Sequence, residues 1–150
     1  MTPKEKSSKP THLDLDADRA LFGGEIEAVI ATLYENEHPL SGLAGLLDWR
    51  FRGLISHEIS RGFVSGKSGQ CAYFPINREG RVYHVILVGA GPGASSGERS
   101  APDSAVWDAL SSNLSRLKIQ KVGLSRSDFG GVTDETVSQR MKGIPLWITR

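Results

Sequence analysis

A single-domain α/β fold is what the sequence predicts, and three features predict it. Val82-Tyr-His-Val-Ile-Leu-Val88 is a β-branched run, apolar apart from His84, that suits a strand buried on both faces. A glycine-rich loop, Gly89 to Gly97, follows it. After the loop, Val106, Leu110, Leu114 and Leu117 recur at helical spacing, so strand, loop and helix follow one another as in an α/β crossover. At 150 residues the chain is long enough for one sizeable core and short for two.

The other elements follow in order. Residues 1–11 are polar and read as a disordered tail, leaving residues 12–150 for the domain. His12 to Asp16 alternates polar with apolar, as a short edge strand does, and Gly23-Gly24 punctuates before a second strand from Ile26 to Tyr34. After the turn-rich Asn36 to Gly42, the positions Leu47, Phe51, Leu54, Ile55 and Ile59 predict one amphipathic helix, ended by Gly62 as a left-handed cap. Cys71 to Ile76 reads as extended up to Pro75, and the run 82–88 is expected at the sheet centre. Pro102 and Asp103 suit the first turn of the helix that follows. Ile119 to Leu124 supplies a further strand, Thr133 caps a short helix through Val137 and Met141, and Ile144 to Ile148 forms an apolar end.

Composition excludes several function classes. A formal charge of +1 gives no broad positive field to gather phosphates, which argues against nucleic acid as the main ligand. The single cysteine, Cys71, cannot close an internal disulfide and has no neighbours at zinc-site spacing, so the cytoplasm is the expected compartment and no metal or cofactor is expected. No apolar run approaches membrane-spanning length.

Three local patterns resemble active-site motifs. Gly62-Phe-Val-Ser-Gly66-Lys67-Ser68 has three residues between its glycines where a phosphate-cradling P-loop needs four, and it follows a helix, so it reads as a capping turn. Gly93-Ala-Ser95-Ser-Gly97 spells a nucleophile elbow, yet His12, His38, His57 and His84 all precede Ser95, so no base follows it in hydrolase order. Gly89-x-Gly91-x-x-Ala94 approaches a dinucleotide fingerprint, with Pro92 delaying the helix that receives the pyrophosphate. If the chain holds a small ligand, the candidate residues are Gly89, Gly91, Gly93, Ser95 and Ser96, because glycine-rich loops at carboxyl ends of strands are where α/β sheets bind ligands. His84 reads as a hydrogen-bonded rim histidine, His57-Glu58 lacks the second histidine of a zinc helix, and Asp48 with Arg50 beside Trp49 suggests an ion pair at an interface or a solvated helix start. The acid pairs Asp14 with Asp16 and Glu25 with Glu27 fall on edge-like segments.

Taken together, the blocks Pro39-Leu-Ser-Gly-Leu-Ala-Gly-Leu-Leu-Asp48-Trp49-Arg50-Phe-Arg-Gly53-Leu-Ile-Ser56, Gly62-Phe-Val-Ser-Gly66-Lys67-Ser-Gly69-Gln70 and Val85-Ile-Leu-Val-Gly89-Ala-Gly91 resemble the N-terminal domain of the leucyl (cytosol) aminopeptidase family. The resemblance covers roughly residues 12 to 142 and implies a macro-domain-like mixed sheet flanked by helices. That family's catalytic residues and two metal ions belong to a C-terminal domain whose Asn-Thr-Asp-Ala-Glu-Gly-Arg-Leu signature does not occur in this chain. The resemblance therefore implies no catalytic residue and no metal ligand here. The expected function is a non-catalytic, stand-alone assembly module that self-associates or docks on a protein partner. The alternative is a macro-type module binding an ADP-ribose-like nucleotide at the Gly89 to Gly97 loop.

Overall fold

Seven consecutive buried residues, Ala28–Tyr34, form the strand about which the molecule is organised. The structure is a computed structural model that describes residues 9–35, 37, 39–93 and 98–150. In chain order the elements are β1 (Thr11–His12), α1 (Ala17–Gly23), β2 (Ala28–Tyr34), α2 (Gly42–Arg50), α3 (Leu54–Ser60), β3 (Cys71–Arg78), β4 (Arg81–Gly91), α4 (Ser104–Leu117), β5 (Val122–Ser125), α5 (Asp134–Arg140) and β6 (Leu146–Thr149). A single 3-10 turn, Ser127–Phe129, follows β5.

The strands form one six-stranded sheet in the order β1-β6-β5-β2-β4-β3. Every neighbouring pair is parallel except β3 with β4, which is antiparallel. The sheet is therefore mixed and flanked by helices on both faces, with the antiparallel strand on its edge. Pro75 sits in that edge strand, where a missing ladder donor is tolerated.

Alternation along β2 divides the core. Val29, Ala31 and Leu33 pack into one layer with Leu21, Leu47, Ile55, Val85 and Leu87, under α1, α2 and α3. Ala28 and Ile30 face the other layer, with Val88, Leu110, Leu124, Phe129 and Met141, under α4 and α5. A sheet covered on both faces needs apolar residues at successive positions, which is why β2 carries no polar alternation.

Three sequence expectations change. The sheet centre is β2, bracketed by β4 and β5, whereas the 82–88 run lies in β4, one strand from the edge. The single helix expected around residues 47–59 is two, because the chain turns at Phe51–Gly53 and Gly53 takes the left-handed conformation at φ 82°. Between the two opening strands lies α1, which the charged Asp16-Ala-Asp-Arg19 stretch had concealed. Elsewhere Gly62 adopts φ 79° after α3, Asp103 accepts the Val106 N–H at the start of α4, and Thr133 accepts the Thr136 N–H at the start of α5, as capping chemistry requires. Among the described residues no helix is long and apolar enough to cross a membrane.

Candidate functional site

From β2 the chain adds β4 on one side and then, through α4, places β5 on the other side. Loops leaving β4 and β5 thus diverge over the carboxyl end of β2 and leave a crevice between them, the position at which open α/β sheets bind ligands. The crevice is present here with a volume of about 470 Å³. Its lining comes from beyond the carboxyl ends of five strands: Asp16 after β1, Gly42 and Leu43 after β2, Arg99 after β4, Asp128 after β5 and Arg150 after β6.

Asp128 is the centre of its polar structure. One carboxylate oxygen accepts the backbone N–H of Thr32 at 2.7 Å and the Thr32 hydroxyl at 3.0 Å. The other accepts the Leu43 N–H at 3.2 Å and faces Arg99 Nε at 3.5 Å. Burial pushes the carboxyl above its ordinary range, opposed by the Thr32 amide, the Arg99 charge and the Leu43 amide. With four donors on two oxygens the group is saturated.

Arg99 joins three loops. Its guanidinium pairs with Glu37 at 2.6 Å, donates to the Ser41 carbonyl at 2.8 Å and lies 4.8 Å over the Tyr34 ring. Glu37 in turn accepts the Tyr34 N–H at 3.3 Å and the Ser41 hydroxyl. The Tyr34 hydroxyl accepts the Ser100 N–H at 3.1 Å. Gly42 permits this arrangement, since at φ 61° it lies so close to the Arg99 guanidinium that a Cβ would collide with it. On the far side of Glu37 a second cavity of about 310 Å³ is lined by Leu33, Tyr34, Glu37, Leu40, Ile59 and Val64 among others.

The predicted site residues are placed unevenly. Gly89 and Gly91 end β4, and their amides are committed: Gly89 donates to Gln70 at 2.6 Å and Gly91 to Gly66 at 2.9 Å. A Cβ on Gly89 would overlap the Lys67 carbonyl, so this glycine serves close approach of the 65–70 turn. Gly93 packs against the Tyr34 ring. Ser95 and Ser96, and with them the Gly93-Ala-Ser95-Ser-Gly97 pattern, lie outside the described residues. In the Gly62 to Ser68 turn the Ser65 and Gly66 amides donate to the Gln70 side-chain oxygen at 2.8 and 3.1 Å, so a glutamine fills that cradle.

The residues the sequence reading passed over are Glu37, Arg99 and Asp128, with Asp16 set aside as an edge charge. Each occurs in a polar connection, where its type alone carries no signal; its place after a strand's carboxyl end does. The other singled-out groups add no side chain to the crevice lining. His84 bonds the Tyr73 hydroxyl through Nδ1 and stacks on its ring. Burial pushes the Cys71 thiol up to about 11, as in an inert thiol. Arg50 pairs with buried Asp18 at 2.6 Å, while Asp48 accepts the Ser56 N–H at 2.8 Å, so the two do not pair with each other. Asp14 pairs with Arg150 at 2.8 Å. Among the described residues no group of three or more His, Cys, Asp or Glu side chains is arranged to hold a metal ion.

No protein-family model matches the sequence, and no curated protein matches it. Solved structures do. The chain is similar to the macrodomain of Thermus aquaticus DarG, at 14% identity and a TM-score of 0.63, covering 93% of this chain and 97% of that one. It is similar to Thermosipho africanus DarTG in complex with ADP-ribose, at 10% identity and a TM-score of 0.58, covering 86% of this chain and 39% of that one. It is also similar to a tomato leucine aminopeptidase variant, at 14% identity and a TM-score of 0.56, covering 98% of this chain and 33% of that one. These neighbours overturn the expected assembly module, because the likeness runs over whole macrodomains and extends to a protein solved with a nucleotide. The chain has the macrodomain fold.

Proposed function

We propose that this chain is a ligand-binding module of the macrodomain type, taking an ADP-ribose-like nucleotide in the crevice at the carboxyl ends of the strands. One observation carries the reading: the ends of five strands converge on a cavity of about 470 Å³ at the point where strand order reverses. The likeness to a protein solved in complex with ADP-ribose supports the choice of ligand.

The crevice chemistry suits such a molecule. Asp16 stands exposed at its mouth with no side-chain capping bond to α1, leaving a carboxylate for an amino or hydroxyl donor of a base or ribose. Arg99 supplies the cation for a phosphate. Binding rather than turnover is proposed, since the carboxyl with the raised pKa, Asp128, has both oxygens occupied and none left to take a substrate proton. Kinship with the aminopeptidase N-terminal domain is part of the same proposal, supported by the sequence blocks and the tomato structure.

Thermal unfolding with added ADP-ribose tests it. At a hundredfold excess over the dissociation constant, a ligand of the folded state adds about 2.7 kcal/mol, a rise of roughly 5–10 °C for a domain of this size. No rise with ADP-ribose, ADP or adenosine at millimolar concentration would refute the reading.

A further inference from the structure

Arg99 lines the crevice, Glu37 lines the second cavity, and the two side chains meet at 2.6 Å. One ion pair is therefore the wall between two hollows of about 470 and 310 Å³. Both flank the carboxyl end of β2, and Tyr34 underlies the wall by stacking beneath the guanidinium. We infer that the two cavities are halves of one elongated site, and that the bridging anion of a nucleoside diphosphate-type ligand displaces Glu37 from Arg99 to join them. The inference rests on the ligand reading above and specifies how that ligand is admitted.

Glu37 rather than Asp128 is the carboxylate that leaves. Asp128 is bound by backbone amides of β2 and α2 and by the Thr32 hydroxyl, so its withdrawal would break the fold at three points. Glu37 hangs on the connection between β2 and α2, and its other partners are the N–H of Tyr34, the last residue of β2, and the Ser41 hydroxyl of that connection. Arg99 is held in place independently, by the Ser41 carbonyl, the Tyr34 ring and Asp128. A phosphate meets a planar guanidinium through the same paired oxygens as a carboxylate, so Glu37 stands where the ligand's anion fits. A ligand with two bulky ends and a charge between them matches the shape: a hollow, a cation, a hollow.

Calorimetric titration of the purified chain and its Glu37→Gln variant with ADP-ribose and with adenosine decides it. Glutamine keeps one oxygen for the Tyr34 N–H, turns its NH2 to the Ser41 hydroxyl, which can accept, and removes the charge that competes for Arg99. The variant is expected to bind ADP-ribose about tenfold more tightly, with adenosine, which has no anion, unchanged. ADP-ribose binding that is unaltered or weaker in the variant sinks the inference while leaving the ligand reading intact. An equal gain for adenosine also sinks it, as a sign of general loosening. Absence of ADP-ribose and adenosine binding in both proteins overturns the reading and the inference together. Should Glu37→Gln melt below the assay temperature, Glu37→Asp, which draws the carboxylate back by one methylene, is expected to show a smaller gain in the same direction, and no gain there refutes the inference.

Discussion

At the level of single residues, the crevice depends on a buried carboxylate whose charge is tolerated because each oxygen has donors. Thr32, itself 1% exposed, supplies both an amide and a hydroxyl to Asp128. Thr32→Val keeps the shape and the amide while deleting the hydroxyl, a hydrogen bond to a charged group. The expected loss is about 2 kcal/mol, read as a fall of roughly 4–8 °C in Tm by circular dichroism. The pH dependence has a definite sign. Burial holds the folded-state pKa of Asp128 above its usual value, so on acidification the folded form takes up this proton before the unfolded form. Ionisation of Asp128 thus costs stability as pH rises through the window between its ordinary and raised pKa, and the Thr32 hydroxyl offsets part of that cost. Deleting the hydroxyl raises the folded-state pKa further, so the difference between wild type and Thr32→Val should narrow as pH falls through the variant's pKa to the raised pKa of the wild type, and be small below it; a difference that is constant with pH would mean the hydroxyl does not act on the charged form.

At the level of elements, close approach of backbone decides what the glycines do. The 65–70 turn lies against the end of β4, with Gly89 exchanging bonds with Gln70 and Gly69, and Gly91 bonding Gly66. Gly89→Ala puts a methyl group within clashing distance of the Lys67 carbonyl oxygen, so one of the two backbones has to shift. A destabilisation of about 2–3 kcal/mol is expected from chemical denaturation, with the midpoint shifted and the slope unchanged. Stability equal to wild type would show that the turn is free to move off the strand. The same glycines mark what the sequence does and does not disclose. A run of β-branched residues before a glycine-rich loop locates β4 and its crossover to α4 from sequence alone, because both follow from local chemistry. Which glycines face a ligand does not follow, since it depends on the 65–70 turn arriving from elsewhere in the chain. The break at Phe51–Gly53 escaped for a related reason: the apolar spacing runs through it unbroken, and only the left-handed Gly53 separates α2 from α3. Arg99, Glu37 and Asp128 were illegible as a group because they lie 29 or more positions apart in sequence and meet only over the end of β2.

For the molecule as a whole, the sheet order separates two functions by position. The β3–β4 hairpin is paired by its backbone from Cys71–Val88 to Arg78–Arg81, and Arg81 also donates to the Leu21 and Phe22 carbonyls, at 2.9 and 2.8 Å. At the carboxyl end, beside the backbone-bonded 65–70 turn, side chains join loops to one another, Arg99 to Glu37 and Arg126 to Asp134, and such contacts open at lower cost than a strand ladder. Exposed Trp49, at 76%, lies on α2, whose first turn borders the crevice. Ligand binding at the crevice therefore predicts a polarised response in hydrogen exchange. On saturation with ADP-ribose, amides at 39–43, 98–103 and 126–131 should slow, while those at 76–82 should exchange at the unliganded rate. Uniform slowing across both ends would indicate global stabilisation without a localised site, and slowing confined to 76–82 would move the site to the opposite end of the sheet. Because exchange reports each amide separately, it would locate a ligand even where the gain in Tm is small, and it tests the proposal that a ligand sits at the reversal of strand order beside β2 rather than at any single glycine motif.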